Sequence, residues 1–185
     1  TMHRIVLDSC ESGRAPEPHP SHPLPLTLAV MNIGDSVPDF TLFNTRQEAV
    51  SLHDELKKGP LVLLFFPAAF TGVCTTEMHT VSNDLASYEP AQVFGVSTDT
   101  LFTLAEFSKT NAFAVDLLSD HDASVADTFG CRFPGDFGPM KYSRIASRAT
   151  FLIDSKGVLR YQEILDNPGL MPDLDALRAA ISAVK

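Results

Sequence analysis

The strongest hydrophobic signal is the unbroken apolar run Leu61, Val62, Leu63, Leu64, Phe65, Phe66, ended by Pro67. Six such residues before a proline suit a strand buried on both faces, because proline has no N–H to give to a ladder. After a short loop the period changes. Met78, Val81, Leu85 and Tyr88 recur at helical spacing, so the pattern predicts a helix starting near Thr71. Further strands are predicted through Phe40 and Leu42, at 50–52, 92–97 and 117–120. Residues 149–154 and 158–164 flank Ser155-Lys156-Gly157, which signals a hairpin. Helices are predicted at 53–57, 101–111 (capped by residues 98–100), 122–129 (stopped by Gly130) and 173–184. Residues 131–144 are rich in Gly and Pro and read as an exposed loop, and 166–172 as a turn region. No internal repeat is present. Strands alternating with helices, plus one hairpin, indicate a three-layer α/β sandwich.

Residues 1–30 differ from the rest. Five of the 13 prolines (Pro16, Pro18, Pro20, Pro23 and Pro25) and three of the six histidines fall there. Such spacing blocks regular helix and most strand pairing, and the apolar stretch 24–30 makes only a poorly formed secretory signal. The expectation is a disordered or non-native extension, with the domain running over residues 31–185.

Composition narrows the class of function. The chain has 185 residues, 44% hydrophobic and 20% charged, with a formal net charge of −9. An acidic balance disfavours nucleic acid and anionic membrane surfaces as partners. There is no apolar run of membrane-spanning length. Three cysteines without C-x-x-C fit neither a secreted disulfide framework, nor a thioredoxin-type pair, nor the usual zinc sites. A reducing cytoplasm is the simplest compartment, and no metal or cofactor is expected.

The chemistry concentrates at Cys74, in or near the first turn of the predicted helix, where unpaired N–H groups favour a thiolate. Thr71, Cys74 and Glu77 are spaced by three and share one helical face. A hydroxyl, a sulfur nucleophile and a carboxylate on one rim suit attack on a small polar electrophile. The same residues also fit a buried structural cysteine with Thr71 as an ordinary N-cap, and the spacing leaves both readings open.

Pro67-x-x-x-Thr71-x-x-Cys74, within FFPAAFTGVC, resembles the P-x-x-x-T/S-x-x-C signature of the peroxiredoxins. Arg148-Ala149-Thr150-Phe151-Leu152-Ile153-Asp154 resembles that family's R-x-T-F-x-I-D, and the opening GDSVPDF its G-x-x-A-P-D-F, with Val37 in place of alanine. The resemblance covers roughly residues 31–185 and leans toward the small, one-cysteine, AhpE-like branch. It implies a thioredoxin-like fold with a central mixed sheet and a thiol-dependent peroxidase acting on hydrogen peroxide and organic hydroperoxides. Cys74 would become a sulfenic acid. Thr71, Arg148 and the N–H groups of Val73 and Cys74 would meet the developing charge. Glu77 would hold Arg148, Pro67 would shape the pocket and shield the sulfur, and Phe70 would line the pocket. A homodimer is the family's usual assembly.

Arg132 and Arg144 compete with Arg148, but neither abuts the strand. His79 is turned away from the Thr71–Cys74 face, and Thr75 and Thr76 read as solvated or capping. Phe66 and Phe70 read as core rather than specificity elements, with Phe70 also a candidate for the pocket lining. Cys131 is a candidate resolving thiol, Cys10 a weaker one, and an external thiol or redoxin is the favoured reductant. A thiol–disulfide oxidoreductase and a non-enzymatic chaperone on the same fold stand as alternatives. The first is disfavoured by the lack of C-x-x-C, the second by the Thr71, Cys74 and Arg148 set.

Overall fold

The computed structural model describes residues 31–139 and 141–184. In chain order they form β1 (Thr41–Asn44), β2 (Ala49–Ser51), α1 (Leu52–Leu56), β3 (Leu61–Phe65), α2 (Gly72–Asn83), a 3₁₀ turn (Leu85–Tyr88) and β4 (Gln92–Ser97). There follow α3 (Leu101–Asn111), β5 (Asp116–Ser119), α4 (Ser124–Thr128), β6 (Ala149–Ile153), β7 (Leu159–Ile164) and α5 (Leu174–Ala183). The proline-rich arm and Cys10 lie outside the described residues.

The seven strands make one sheet in the order β2-β1-β5-β4-β3-β6-β7. β3, β4 and β5 run parallel, and β1, β2, β6 and β7 join antiparallel. The apolar run is the axis of this arrangement, since β3 is flanked by β4 and β6 and each of its residues is buried. Successive side chains of a strand point to opposite faces. Leu61, Leu63 and Phe65 therefore join a core with Leu52 of α1 and Val125 and Ala126 of α4. Val62, Leu64 and Phe66 join a second core with Met78 and Val81 of α2, Leu104 and Phe107 of α3, and Leu177 and Ile181 of α5. Helices thus cover both faces of a mixed sheet, the three layers that the alternation of periods predicts.

Three expectations are corrected. The helix after Cys74 stops at Asn83, not Tyr88. Ser82, Asn83 and Asp84 are weak helix formers, and the chain tightens into the 3₁₀ turn. Tyr88 is still buried, because residues three apart stack in a 3₁₀ turn. The first strand starts one residue later than Phe40, at Thr41, and pairs with β2 as a hairpin. The loop over 131–144 is not wholly exposed. Cys131 is fully buried, Arg132 bridges Ala146, and Phe137 bridges Tyr142.

Candidate active site

The carboxyl end of β3 delivers the chain into residues 67–71, and α2 starts immediately after them. That loop is pinned from the neighbouring strand's end: Ala69 N–H donates to Asp99 Oδ2 at 2.7 Å, and Ser97 Oγ donates to the same oxygen at 3.1 Å. Phe70 sits at φ +60°, a costly conformation for a bulky residue, with its ring against Phe107 at 5.0 Å. Against expectation, Phe70 is over half exposed and lines neither the buried core nor the cavity over Cys74; it serves the loop's turn.

Thr71 is the N-cap of α2 by backbone geometry, but its side chain makes no capping bond. Its hydroxyl donates to Ala68 C=O at 2.8 Å. The first N–H groups of a helix have no partner within it. Those of Val73 and Cys74 therefore stay available where both residues line the cavity. Thr75 and Thr76 return their hydroxyls to the carbonyls of Thr71 and Gly72.

Cys74 is 2% exposed, and Arg148 is 1% exposed although it carries a permanent charge. Arg148 stands immediately before β6, beside β3, which brings its guanidinium to the start of α2. Nη2 lies 3.3 Å from Cys74 Sγ. Nη1 donates to Glu77 Oε2, while Nε and Nη2 donate to Pro168 C=O at 3.2 and 2.9 Å. The fork is thus locked on two sides, with one arm at the sulfur. Glu77 is wholly buried, and its Oε1 has no hydrogen-bond partner among the described residues. Burial pushes its carboxyl up to about 7, against the opposing pull of Arg148.

The cavity above Sγ measures about 190 Å³ and is lined by residues 67, 71–74, 137, 148, 168 and 169. Phe137, Pro168 and Gly169 were not singled out by the sequence. Asn167-Pro168-Gly169 reads as a turn, and an aromatic in a Gly/Pro-rich loop was the one available signal for Phe137. A larger cavity of about 390 Å³ lies elsewhere, beside Arg46 and Lys58. Both of those cations are already paired with carboxylates, and no nucleophile lines it.

The rival residues sit elsewhere. Arg132 pairs with Asp127, Arg144 donates to Asp122 C=O, and His79 meets Phe113 edge-on at 4.9 Å. Cys131 is on the other face of the sheet from Cys74. Burial, with the charge of Asp120 second, pushes its thiol far above the ordinary range. That placement counts against Cys131 as a resolving partner. Among the described residues no group of His, Cys, Asp and Glu is arranged to hold a metal ion.

Alkyl hydroperoxide reductase E of Mycobacterium tuberculosis is 30% identical over 159 residues, 84% of this chain and 99% of that protein. A thiol peroxidase of Corynebacterium glutamicum is 30% identical over 151 residues, 81% of this chain and 88% of that protein. The crystal structure of peroxidoxin BcpB from Mycobacterium tuberculosis superposes with a TM-score of 0.70 at 29% identity, over 84% of this chain and 99% of that one. A peroxiredoxin-like protein from Aquifex aeolicus shares the fold, with a TM-score of 0.74 at 22% identity over 84% and 88% of the two chains. The AhpC/TSA family model matches residues 33–162, and with the sulfur, the guanidinium and the threonine in one pocket at the head of α2, the chain belongs to the AhpC/TSA family of peroxiredoxins.

Proposed function

We propose that the chain is a thiol-dependent peroxidase for hydrogen peroxide and organic hydroperoxides, with Cys74 as its nucleophile. The observation that carries the reading is Arg148 Nη2 at 3.3 Å from Cys74 Sγ, held there by Glu77 and Pro168 C=O. A fixed cation beside sulfur favours the thiolate. The thiolate attacks one oxygen of R–O–O–H. The S–O bond forms as the O–O bond breaks, leaving Cys74–S–OH and an alkoxide that takes a proton to become the alcohol. Negative charge develops on the departing oxygen, where Arg148 and the N–H groups of Val73 and Cys74 supply fixed donors.

Thr71 works differently from a simple donor. Its one hydroxyl proton is committed to Ala68 C=O, so its free lone pairs accept the peroxide O–H and orient the oxygen under attack. Pro67 walls off water beside the sulfur. An external thiol then attacks the sulfenic acid, releasing water and forming a mixed disulfide, and a second thiol frees Cys74. A homodimer in a reducing cytoplasm completes the reading, and sedimentation velocity tests the dimer.

The decisive measurement is stopped-flow oxidation of the reduced protein by peroxide. Cys74→Ser is expected to abolish the reaction. Arg148→Lys is expected to slow it about tenfold or more, because a point charge cannot hold the sulfur, Glu77 and Pro168 C=O together. A Cys74→Ser variant that still consumes peroxide would defeat the proposal.

A further inference from the structure

The peptide unit between Ala68 and Ala69, in the loop before α2, is bonded at both ends. Its N–H, from Ala69, donates to Asp99 Oδ2 at 2.7 Å, and its carbonyl, from Ala68, accepts from the Thr71 hydroxyl at 2.8 Å. This peptide is trans, hence planar with its N–H and C=O pointing opposite ways. Asp99 and Thr71 therefore grip one rigid plate from opposite edges. Thr71 lines the cavity with Cys74 and Arg148, whereas Asp99 does not.

Asp99 is itself fixed to the sheet. It follows β4, whose last residue, Ser97, pairs with Ser119, the last residue of β5. Ser97 Oγ donates to Asp99 Oδ2 at 3.1 Å, and Ser119 Oγ donates to Asp99 C=O at 2.7 Å. The loop that Asp99 holds contains Phe70 at φ +60°, a conformation that persists only where its surroundings enforce it. A carboxylate accepting an N–H makes a strong, charge-assisted bond. It also polarises the amide, so Ala68 C=O draws harder on the Thr71 proton and the Thr71 oxygen becomes the better acceptor.

We infer that Asp99 is a positioning residue for peroxide reduction. Through the Ala68–Ala69 peptide it fixes the Thr71 hydroxyl with its proton turned away and its lone pairs free for the peroxide O–H. The inference rests on the peroxidase reading above and adds no bond-making step to it.

The test follows two reactions of Cys74 in the full reduced chain. One is stopped-flow oxidation by hydrogen peroxide, which brings an O–H to Thr71. The other is alkylation by iodoacetamide, read at Cys74 by mass spectrometry, which brings none. Asp99→Ala is expected to slow oxidation about tenfold and to leave alkylation within about a factor of two, because alignment of the peroxide is what is lost. Asp99→Asn, which keeps an oxygen for the Ala69 N–H, is expected to recover most of the oxidation rate. In a Thr71→Val background Asp99→Ala is expected to cost little more, since the hydroxyl it positions is gone. An unchanged oxidation rate in Asp99→Ala, an equal slowing of both reactions from a disturbed loop, or the same loss persisting in Thr71→Val would each overturn the assignment. Wild type that is alkylated at Cys74 yet not oxidised by peroxide would instead sink the peroxidase reading, and the role of Asp99 with it.

Discussion

Glu77 shows how much one side chain in this site is asked to hold. One of its oxygens accepts from Arg148, and the other is buried without a partner among the described residues. Desolvation is the largest effect on it, raising the carboxyl from 4.5 to about 7, with Arg148 opposing and Glu163 adding a smaller push upward. Between those two values the folded chain keeps a proton that the unfolded chain releases. The resulting stabilisation is full below about pH 4.5 and is lost as pH rises through about 7. Urea unfolding of wild type and Glu77→Gln across that window is expected to show the wild type losing stability relative to the variant. Parallel profiles would mean that Glu77 is ionised throughout. At this scale Cys74, Thr71, Glu77 and Arg148 were legible, because their spacing of three and the paired motif fix residue types. Pro168 and Phe137 were not. Pro168 acts through a carbonyl that any residue carries, and Phe137 reaches the cavity through a loop fold that has no period.

The nucleophile is only as well placed as the helix that carries it, and α2 sits close on the sheet. Gly95 in β4 makes this approach possible. A Cβ there would stand 2.6 Å from Leu117 Cδ2, 2.8 Å from Met78 Sδ and 3.3 Å from Phe66 Cε1. All three neighbours are fully buried, so they have little room to yield. Gly95→Ala is expected to destabilise the fold by about 1–3 kcal/mol through overpacking, read as a lowered urea midpoint. A neutral substitution would show that α2 can shift without cost. Strands β4 and β6 and helix α3 could be read from periodicity to within a residue or so, since burial on one or both faces writes directly into the pattern. The end of α2 could not. Leu85 and Tyr88 keep the three-residue spacing in both α and 3₁₀ geometry, so the pattern does not register the change of helix type.

Across the whole molecule, alternation of periods foretold the layers but not the strand order, which depends on long-range pairing that no local pattern encodes. The segment after Met31 is bonded into the fold. Met31 is buried in the core, Gly34 N–H donates to Leu159 C=O, and Val37 N–H donates to Gly157 C=O, tying this segment to the β6–β7 hairpin. We therefore expect deletion of residues 1–30 to leave the peroxide rate within about a factor of two, and a collapse of rate would place part of the site in that arm. The layers also bear on how the sulfenic acid is reduced. Cys74 packs with α2 and α3 on one face of the sheet, and Cys131 packs with α4 on the other. A disulfide needs its sulfurs about 2 Å apart, so joining these two would require one of them to cross the sheet. Cys131 is also fully buried, and its thiol is held far from ionisation by desolvation. The chain should therefore finish its first half-reaction as a sulfenic acid open to an outside thiol. After one equivalent of peroxide, non-reducing digestion and mass spectrometry are expected to find Cys74 trapped by a sulfenic-acid reagent and Cys131 unchanged. A cross-linked peptide pair carrying Cys74 and Cys131, lighter by two hydrogens, would instead show that the sheet opens during turnover and that the cycle uses two cysteines.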